Sequence, residues 1–338
     1  MQGFEMIPLS VFLEWGNCAQ IAPEPVLFCP KGDSMRKIIA VLLMILMLAG
    51  CAAPDTEEEG FTFTDDLGRE VTVASTERVA CLIGSFADIW HLAGGTDSIV
   101  ATAQDTWTYF DLPLKEDVVN LGGTKELDLE QLIACEPDFI IASCNTASQV
   151  DLQDTFDAMG MTVGYFDVST FHDYLRVLML FTQMLEHPEL YRLYGEEVGY
   201  EVARAVARAD GSQPSVLYVR ASGSGVKVKN SQGSVLGEML ADLDCRNIAD
   251  NEAGLLEQLS MEVIIQEDPD YIFVIMQSAD PKAAERVLEE TLLSHPAWNT
   301  LTAVREGRYH VLDQTLYNLK PNERWGEAYE QLAQILYP

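Results

Sequence analysis

Basic residues are scarce in this chain. Its 338 residues include 21 lysines and arginines against 53 aspartates and glutamates, a formal net charge of −32. Nucleic acid and anionic lipid surfaces reward clusters of Lys and Arg, so neither is expected as a partner surface. The balance suits a soluble, self-repelling body, or one that meets a cationic surface. Histidine is scarcer still, with only His91, His172, His187, His295 and His310. Four of these fall on helices or helix ends and His310 lies in mid-strand, a scatter that argues against direct capture of bare zinc or manganese. Cys81, Cys135, Cys144 and Cys245 form no CxxC pair or zinc-type cluster and read as buried thiols, although disulfides are permitted outside the cell. No GxSxG elbow, dinucleotide-type glycine loop or marked carboxylate pair points to an enzyme.

One compact apolar run is present. Arg36 and Lys37 precede eleven apolar residues, Ile38 to Leu48, and the sequence then continues Ala49-Gly50-Cys51. A basic flank before a run too short to span comfortably has the form of a secretory signal. Its end resembles a bacterial lipoprotein processing box, which implies cleavage before Cys51 and lipid on that cysteine. Residues 1–34 read as an over-extended gene start, 35–50 as the signal peptide, and 51–60, with its "PDTEEEG", as a flexible acidic tether.

Beyond the tether, "FTFTDDLGREVTV" (61–73) alternates apolar and polar residues around a tight glycine turn, the pattern of a hairpin. Short apolar strands then alternate with helical segments: strands at 78–83, 98–103, 138–143 and 161–168, with helices at 85–95, 128–135 and 147–159. Such alternation implies a parallel sheet covered by helices. Residues 169–209 carry helical periodicity through Leu175, Leu178, Leu185, Leu190, Leu193, Val198, Val202 and Val206, with a kink or brief break expected at Pro188. The alternation resumes with strand 215–220, a glycine-rich hairpin at 221–233, helix 234–243, helix 281–292, strand 308–313 and a closing helix from Glu323 to Leu336. The expected fold is therefore α/β: two Rossmann-like lobes with mainly parallel sheets, 61–168 and 210–338, joined by one long α-helix at 169–209.

A repeat ties the lobes together. "LDLEQLIACEPDFIIA" (127–142) and "LSMEVIIQEDPDYIFV" (259–274) share six of sixteen positions, 132 residues apart. Asp128 and Ser260 read as N-caps, which places Glu130 and Glu262 in the first turns of matching helices. The helix dipole favours a carboxylate there by about 0.3–1 kcal/mol whatever its function.

These pieces, in order, resemble the substrate-binding proteins of ABC importers for ferric siderophores, haem and cobalamin. The resemblance covers nearly all of 61–338. It rests on the Asp-x-x-Gly-Arg hairpin (Asp65/Asp66, Gly68, Arg69), on "ERVACL" and on the two Glu-to-Pro-Asp units. "HPAWNTLTAVREGRYHVLD" (295–313) completes it, with Trp298, Ala303-Val304 and Gly307-Arg308. It implies a two-lobed, non-enzymatic binder, a monomer anchored outside the bacterial cell membrane through Cys51, with its ligand held between the lobes. It also implies an ABC permease dimer with its ATPase as partner, docked by Glu130 on one lobe and Glu262 on the other. A lipid-anchored sensor or adhesion module on the same fold is the alternative, and an extracellular enzyme a weaker one.

Candidate ligand contacts fall in loops at the expected strand ends. The first lobe offers Trp107, Tyr109 and Phe110, then Ser143, Asn145 and Thr146. The second offers Arg220, Lys227, Lys229 and Asn230, then Tyr317, Lys320, Asn322, Arg324 and Trp325. Aromatic faces suit a macrocycle, and Arg and Lys suit carboxylates or catecholate oxygens, so the transported ligand is read as an iron chelate, haem or a corrinoid. Tyr109 and Tyr317 are the candidate axial ligands should the cargo be haem. The competing reading is a solvated basic face with aromatics that merely cover the sheet.

Overall fold

The computed structural model describes residues 60–278 and 280–338; the signal peptide, Cys51 and nearly all of the tether lie outside the described residues. The first lobe begins with a hairpin of β1 (Phe61–Thr64) and β2 (Glu70–Val73). Its turn is fixed by side-chain chemistry. Asp65 accepts from the backbone N–H groups of Leu67 and Arg69 (3.1 and 2.9 Å), and Gly68 supplies a φ of 78°. Arg69 pairs with Asp65 at 2.7 Å, donates to the Val163 carbonyl at 2.8 Å and lies 4.8 Å over the Tyr165 ring. The motif therefore works locally, clamping the hairpin against the lobe.

The sheet of this lobe comprises β3 (Val79–Cys81), β4 (Ile99–Thr102), β5 (Val119–Asn120), β8 (Phe139–Ser143) and β9 (Val163–Phe166), all parallel, in the order β5-β4-β3-β8-β9. A small hairpin of β6 (Gly122–Gly123) and β7 (Glu126–Leu127) stands beside it. The second lobe pairs β10 (Ser215–Ser222) antiparallel with β11 (Gly225–Lys229). It pairs β10 parallel with β12 (Arg246–Asn247) and β13 (Tyr271–Met276), and β13 parallel with β14 (Tyr309–Leu312). The α/β class and the two mainly parallel sheets are as the sequence implied.

The joining segment is helical and broken once. Thr170 and Asp173 form a reciprocal capping box that starts helix Phe171–Met184. Glu186 takes a left-handed φ of 59°, and Pro188 begins the next helical stretch, which passes through a wide π turn (Arg192–Glu196) into Glu197–Val206. Phe166, Trp90 and Phe181 meet edge to face beneath the first of these helices, with centroids 5.0–5.2 Å apart. The closing helix Trp325–Leu336 packs against the second, so both lobes share one continuous apolar core across the joint. Trp107 and Tyr109, read as loop residues, lie on a short helix Asp105–Tyr109, whose Asp105 carboxylate accepts the Gly84 N–H at 2.9 Å and so joins it to the start of helix Gly84–Leu92.

The repeated Pro-Asp has a structural purpose. Helix Leu129–Ala134 and helix Met261–Glu267 are followed by Glu136 (φ 44°) and Asp268 (φ 38°), left-handed turns that precede the prolines. Asp138 then accepts from Ser75 Oγ and the Arg78 N–H (2.8 and 3.0 Å), at the threshold of β3. Asp270 accepts from the Ser215 N–H and Oγ (2.8 and 2.7 Å), at the threshold of β10. Each aspartate thus sets its own strand in register with the neighbouring one. Two charge-assisted hydrogen bonds are involved, so Asp270→Ala is expected to cost roughly 2–4 kcal/mol of unfolding free energy. Urea denaturation checks this.

Candidate ligand-binding site

A cleft of about 440 Å³ opens between the lobes, a size ordinary for a small-molecule site. Its walls are the carboxyl ends of parallel strands, where α/β folds gather ligands. Ile83 and Ser85 follow β3, Asp105 follows β4, Ser143 ends β8 with Asn145 and Thr146 just after, and Val168 and Ser169 follow β9. From the second lobe come Arg220 near the end of β10, Gln277 after β13, Ser234 at the start of helix Val235–Asp242, and the segment Asn318–Lys320. Thr124 and Lys125, at the tip of the β6–β7 hairpin, complete the rim.

The lining is rich in donors. Arg220, Lys320 and Lys125 all face the cleft, and among the described residues none of them forms an ion pair. Among the described residues one carboxylate, Asp105, stands in the wall; it is already engaged by the Gly84 N–H, and burial raises its pKa. Lys320 is half-buried, its ammonium 5.6 Å over the Phe86 ring. Burial lowers its pKa, and the Asp167 and Asp105 carboxylates pull in the other direction. The Arg220 guanidinium lies over Tyr218 (5.9 Å) and donates to its hydroxyl at 3.1 Å, while the Arg220 Nε is buried without a partner among the described residues. Ser234 Oγ is likewise buried and unpartnered, at the N-terminus of its helix. Two orphaned donors in one wall, beside a half-buried ammonium, form a surface that an anion would satisfy.

Of the residues singled out from the sequence, Asn145, Arg220 and Lys320 meet in this cleft, with Ser143 and Thr146. Tyr109, Phe110 and Arg324 line an adjoining recess of about 300 Å³ that shares Lys320, and Arg324 is paired there with Glu327 at 2.7 Å. Lys227 and Lys229 project from β11 opposite Arg220 and Tyr218, next to the cleft but outside its wall; burial and then the Arg220 and Lys227 charges lower the pKa of Lys229. Trp107 is exposed and lines neither space.

Three assignments are corrected. Tyr317 is buried, with its hydroxyl donating to the Ala328 carbonyl at 3.0 Å, so it offers nothing to a haem iron. Trp325 is fully buried, edge-on to Phe171 of the joining helix at 5.9 Å, and fills the core at the joint. Asn322 is also a fold residue: it is buried and donates to the Ser85 carbonyl and the Asp88 carboxylate (2.9 and 2.6 Å), tying the second lobe to the first. Sequence reasoning missed Ser85, Asp105, Thr124, Lys125, Ser169, Ser234, Gln277 and Asn318. Ser85, Asp105, Ser169, Ser234 and Gln277 share a position, in the first residues after a parallel strand or at a helix start; Thr124 and Lys125 sit at a hairpin tip, and Asn318 just past helix Gln314–Tyr317. No Phe, Tyr or Trp lines the cleft among the described residues, and no group of three or more His, Cys, Asp or Glu converges there on a metal site.

Glu130 and Glu262 lie on helices capped by Asp128 (accepting the Gln131 N–H at 3.0 Å) and Ser260 (accepting the Val263 N–H at 3.4 Å). Both glutamates are exposed and enter no hydrogen bond or ion pair among the described residues.

Comparison with known proteins agrees with this architecture. A haem-binding periplasmic protein from Pseudomonas aeruginosa superposes with a TM-score of 0.63 at 22% identity, covering 78% of this chain and 93% of that one. Staphylococcus aureus IsdE, solved with haem, gives 0.64 at 12% identity, covering 78% and 100%. Staphylococcus aureus SirA, solved with staphyloferrin B, gives 0.60 at 19% identity, covering 82% and 97%. No curated protein matches in sequence. The sequence pattern described as periplasmic binding protein matches residues 79–316, most of both lobes. The chain belongs to the periplasmic binding protein family, whose members bind rather than transform their ligands.

Proposed function

We propose that this chain is the extracytoplasmic substrate-binding component of an ABC importer, and that its cargo is a hydrophilic, anionic ferric chelate. The observation that carries the reading is the donor-rich cleft: Arg220, Lys320, Lys125 and Ser234 face one space with a single, already engaged carboxylate. In a chain with 53 acids, such a gathering favours a ligand that brings its own oxygens. A flat porphyrin or corrin would want aromatic or apolar walls, and among the described residues only Ile83, Val168, Val235 and Leu319 provide apolar lining. Two of the solved neighbours named above are haem proteins, so haem is the competing cargo. The anchor in this proposal is lipid on Cys51, and delivery is docking of Glu130 and Glu262 on the two halves of a permease served by an ATPase.

Titration of the purified protein tests the cargo. Tryptophan fluorescence and visible absorbance would follow a panel of ferric carboxylate, catecholate and hydroxamate siderophores, haemin and cobalamin. The proposal expects saturable binding of a carboxylate or catecholate chelate at micromolar or tighter affinity. Tight binding of haemin alone would overturn it.

A further inference from the structure

The six positions shared by the two repeats divide by what the fold asks of them. Leu127 and Leu259 are half-buried against the cores of their lobes. Ile140 and Ile272 are wholly buried in β8 and β13. Pro137 and Pro269 follow the left-handed turns, and Asp138 and Asp270 hold the neighbouring strands. The remaining two pairs add little to the fold beyond the dipole stabilisation of a first-turn carboxylate. Glu130 and Glu262 are exposed and have no partner among the described residues, and Ile133 and Ile265 are each 39% exposed.

An isolated exposed isoleucine is ordinary. Here each stands three residues after the glutamate, which puts both side chains on one helix face. The inner position of the same helices is less strict: Leu132 in one lobe is Ile264 in the other, both fully buried. Descent from a duplicated lobe would preserve buried positions first. The exposed pair is identical in both lobes while a core position next to it has drifted.

We infer that each lobe presents a two-residue foot, a carboxylate with an isoleucine beside it: Glu130 with Ile133, and Glu262 with Ile265. The occupant is a permease of two like halves, each offering a cation next to an apolar depression. The inference rests on the delivery role proposed above and adds the apolar half of the contact. The glutamates set register and encounter rate through a salt-sensitive attraction, and the isoleucines supply the buried apolar area that holds the complex.

The test uses the full chain and its cognate permease–ATPase complex in lipid nanodiscs, with Kd measured at several salt concentrations. Ile133→Gln with Ile265→Gln is expected to raise Kd at least about tenfold while keeping the salt dependence. Glu130→Gln with Glu262→Gln should raise Kd and flatten the salt dependence. Ile133→Leu with Ile265→Leu should bind like the parent, which separates lost apolar contact from local damage to the helices. Parent-like binding by the Ile→Gln pair, with the glutamate pair impaired, would overturn the isoleucine foot and leave the docking role intact. Parent-like binding by both pairs would overturn the docking role as well. A Leu pair as weak as the Gln pair would also count against the inference.

Discussion

Replacing Lys320 by Met and Arg220 by Gln together is expected to weaken binding of a ferric carboxylate or catecholate chelate by roughly 10²–10⁴-fold. Charge-assisted hydrogen bonds contribute about 1.5–3 kcal/mol each, and every 1.4 kcal/mol is tenfold in Kd. Methionine keeps the apolar stem over Phe86 and removes only the ammonium, which stands 5.6 Å from that ring. The fold should not suffer from this change. Burial lowers the Lys320 pKa, so the charged form is disfavoured in the folded protein; that penalty is complete below the lowered folded pKa and fades as pH rises through it. At neutral pH the Lys320→Met protein should therefore melt no lower than the parent, as calorimetry would show. A bound anion does the reverse, favouring the ammonium, so affinity for the chelate should fall as pH rises through the lysine's lowered pKa. Undiminished binding by the double variant would remove the cleft cations from the account.

Much of the fold was legible because its determinants are local. The turn at Asp65, Gly68 and Arg69 closes within five residues, and its clamp on β9 uses the same arginine. The helix starts at Asp128 and Ser260 and the break before Pro188 are likewise written in neighbouring residues. The cleft was legible in part, through basic residues that stand out in an acidic chain: Arg220 and Lys320 were found this way. Tyr317 and Trp325 were misplaced because an aromatic residue in a loop-like stretch reads the same whether it faces a ligand or a core. What decides is Phe171, 154 positions from Trp325 and brought against it only by the joining helix. Ser85 and Gln277 carry only the mark of position after a strand, and Asn318 not even that; their place in the cleft wall appears only when the two lobes converge.

The repeated unit was legible as a repeat before it was legible as a mechanism. Its Pro-Asp is now accounted for by Asp138 and Asp270, which fix strand register. Its glutamate is not accounted for by the fold, beyond the modest dipole stabilisation that any acid in a first helical turn receives. That residue of unexplained likeness is what the proposed delivery role depends on.

Glu130→Ala combined with Glu262→Ala is therefore expected to abolish uptake while leaving the cargo's Kd unchanged. Both side chains are exposed and unpaired among the described residues, and neither lines the cleft, so their loss should leave ligand contacts unaltered and cost no more stability than the modest dipole stabilisation. Each single variant should lower uptake without abolishing it, since the second lobe can still engage its half of the permease. The decisive measurement is transport of a radiolabelled ferric chelate into cells that depend on this chain, set beside the Kd of the purified protein for the same chelate. Uptake at background with an unaltered Kd is the expected result. Normal uptake by the double variant would contradict the account, because a receptor that delivers without its two glutamates does not dock by them.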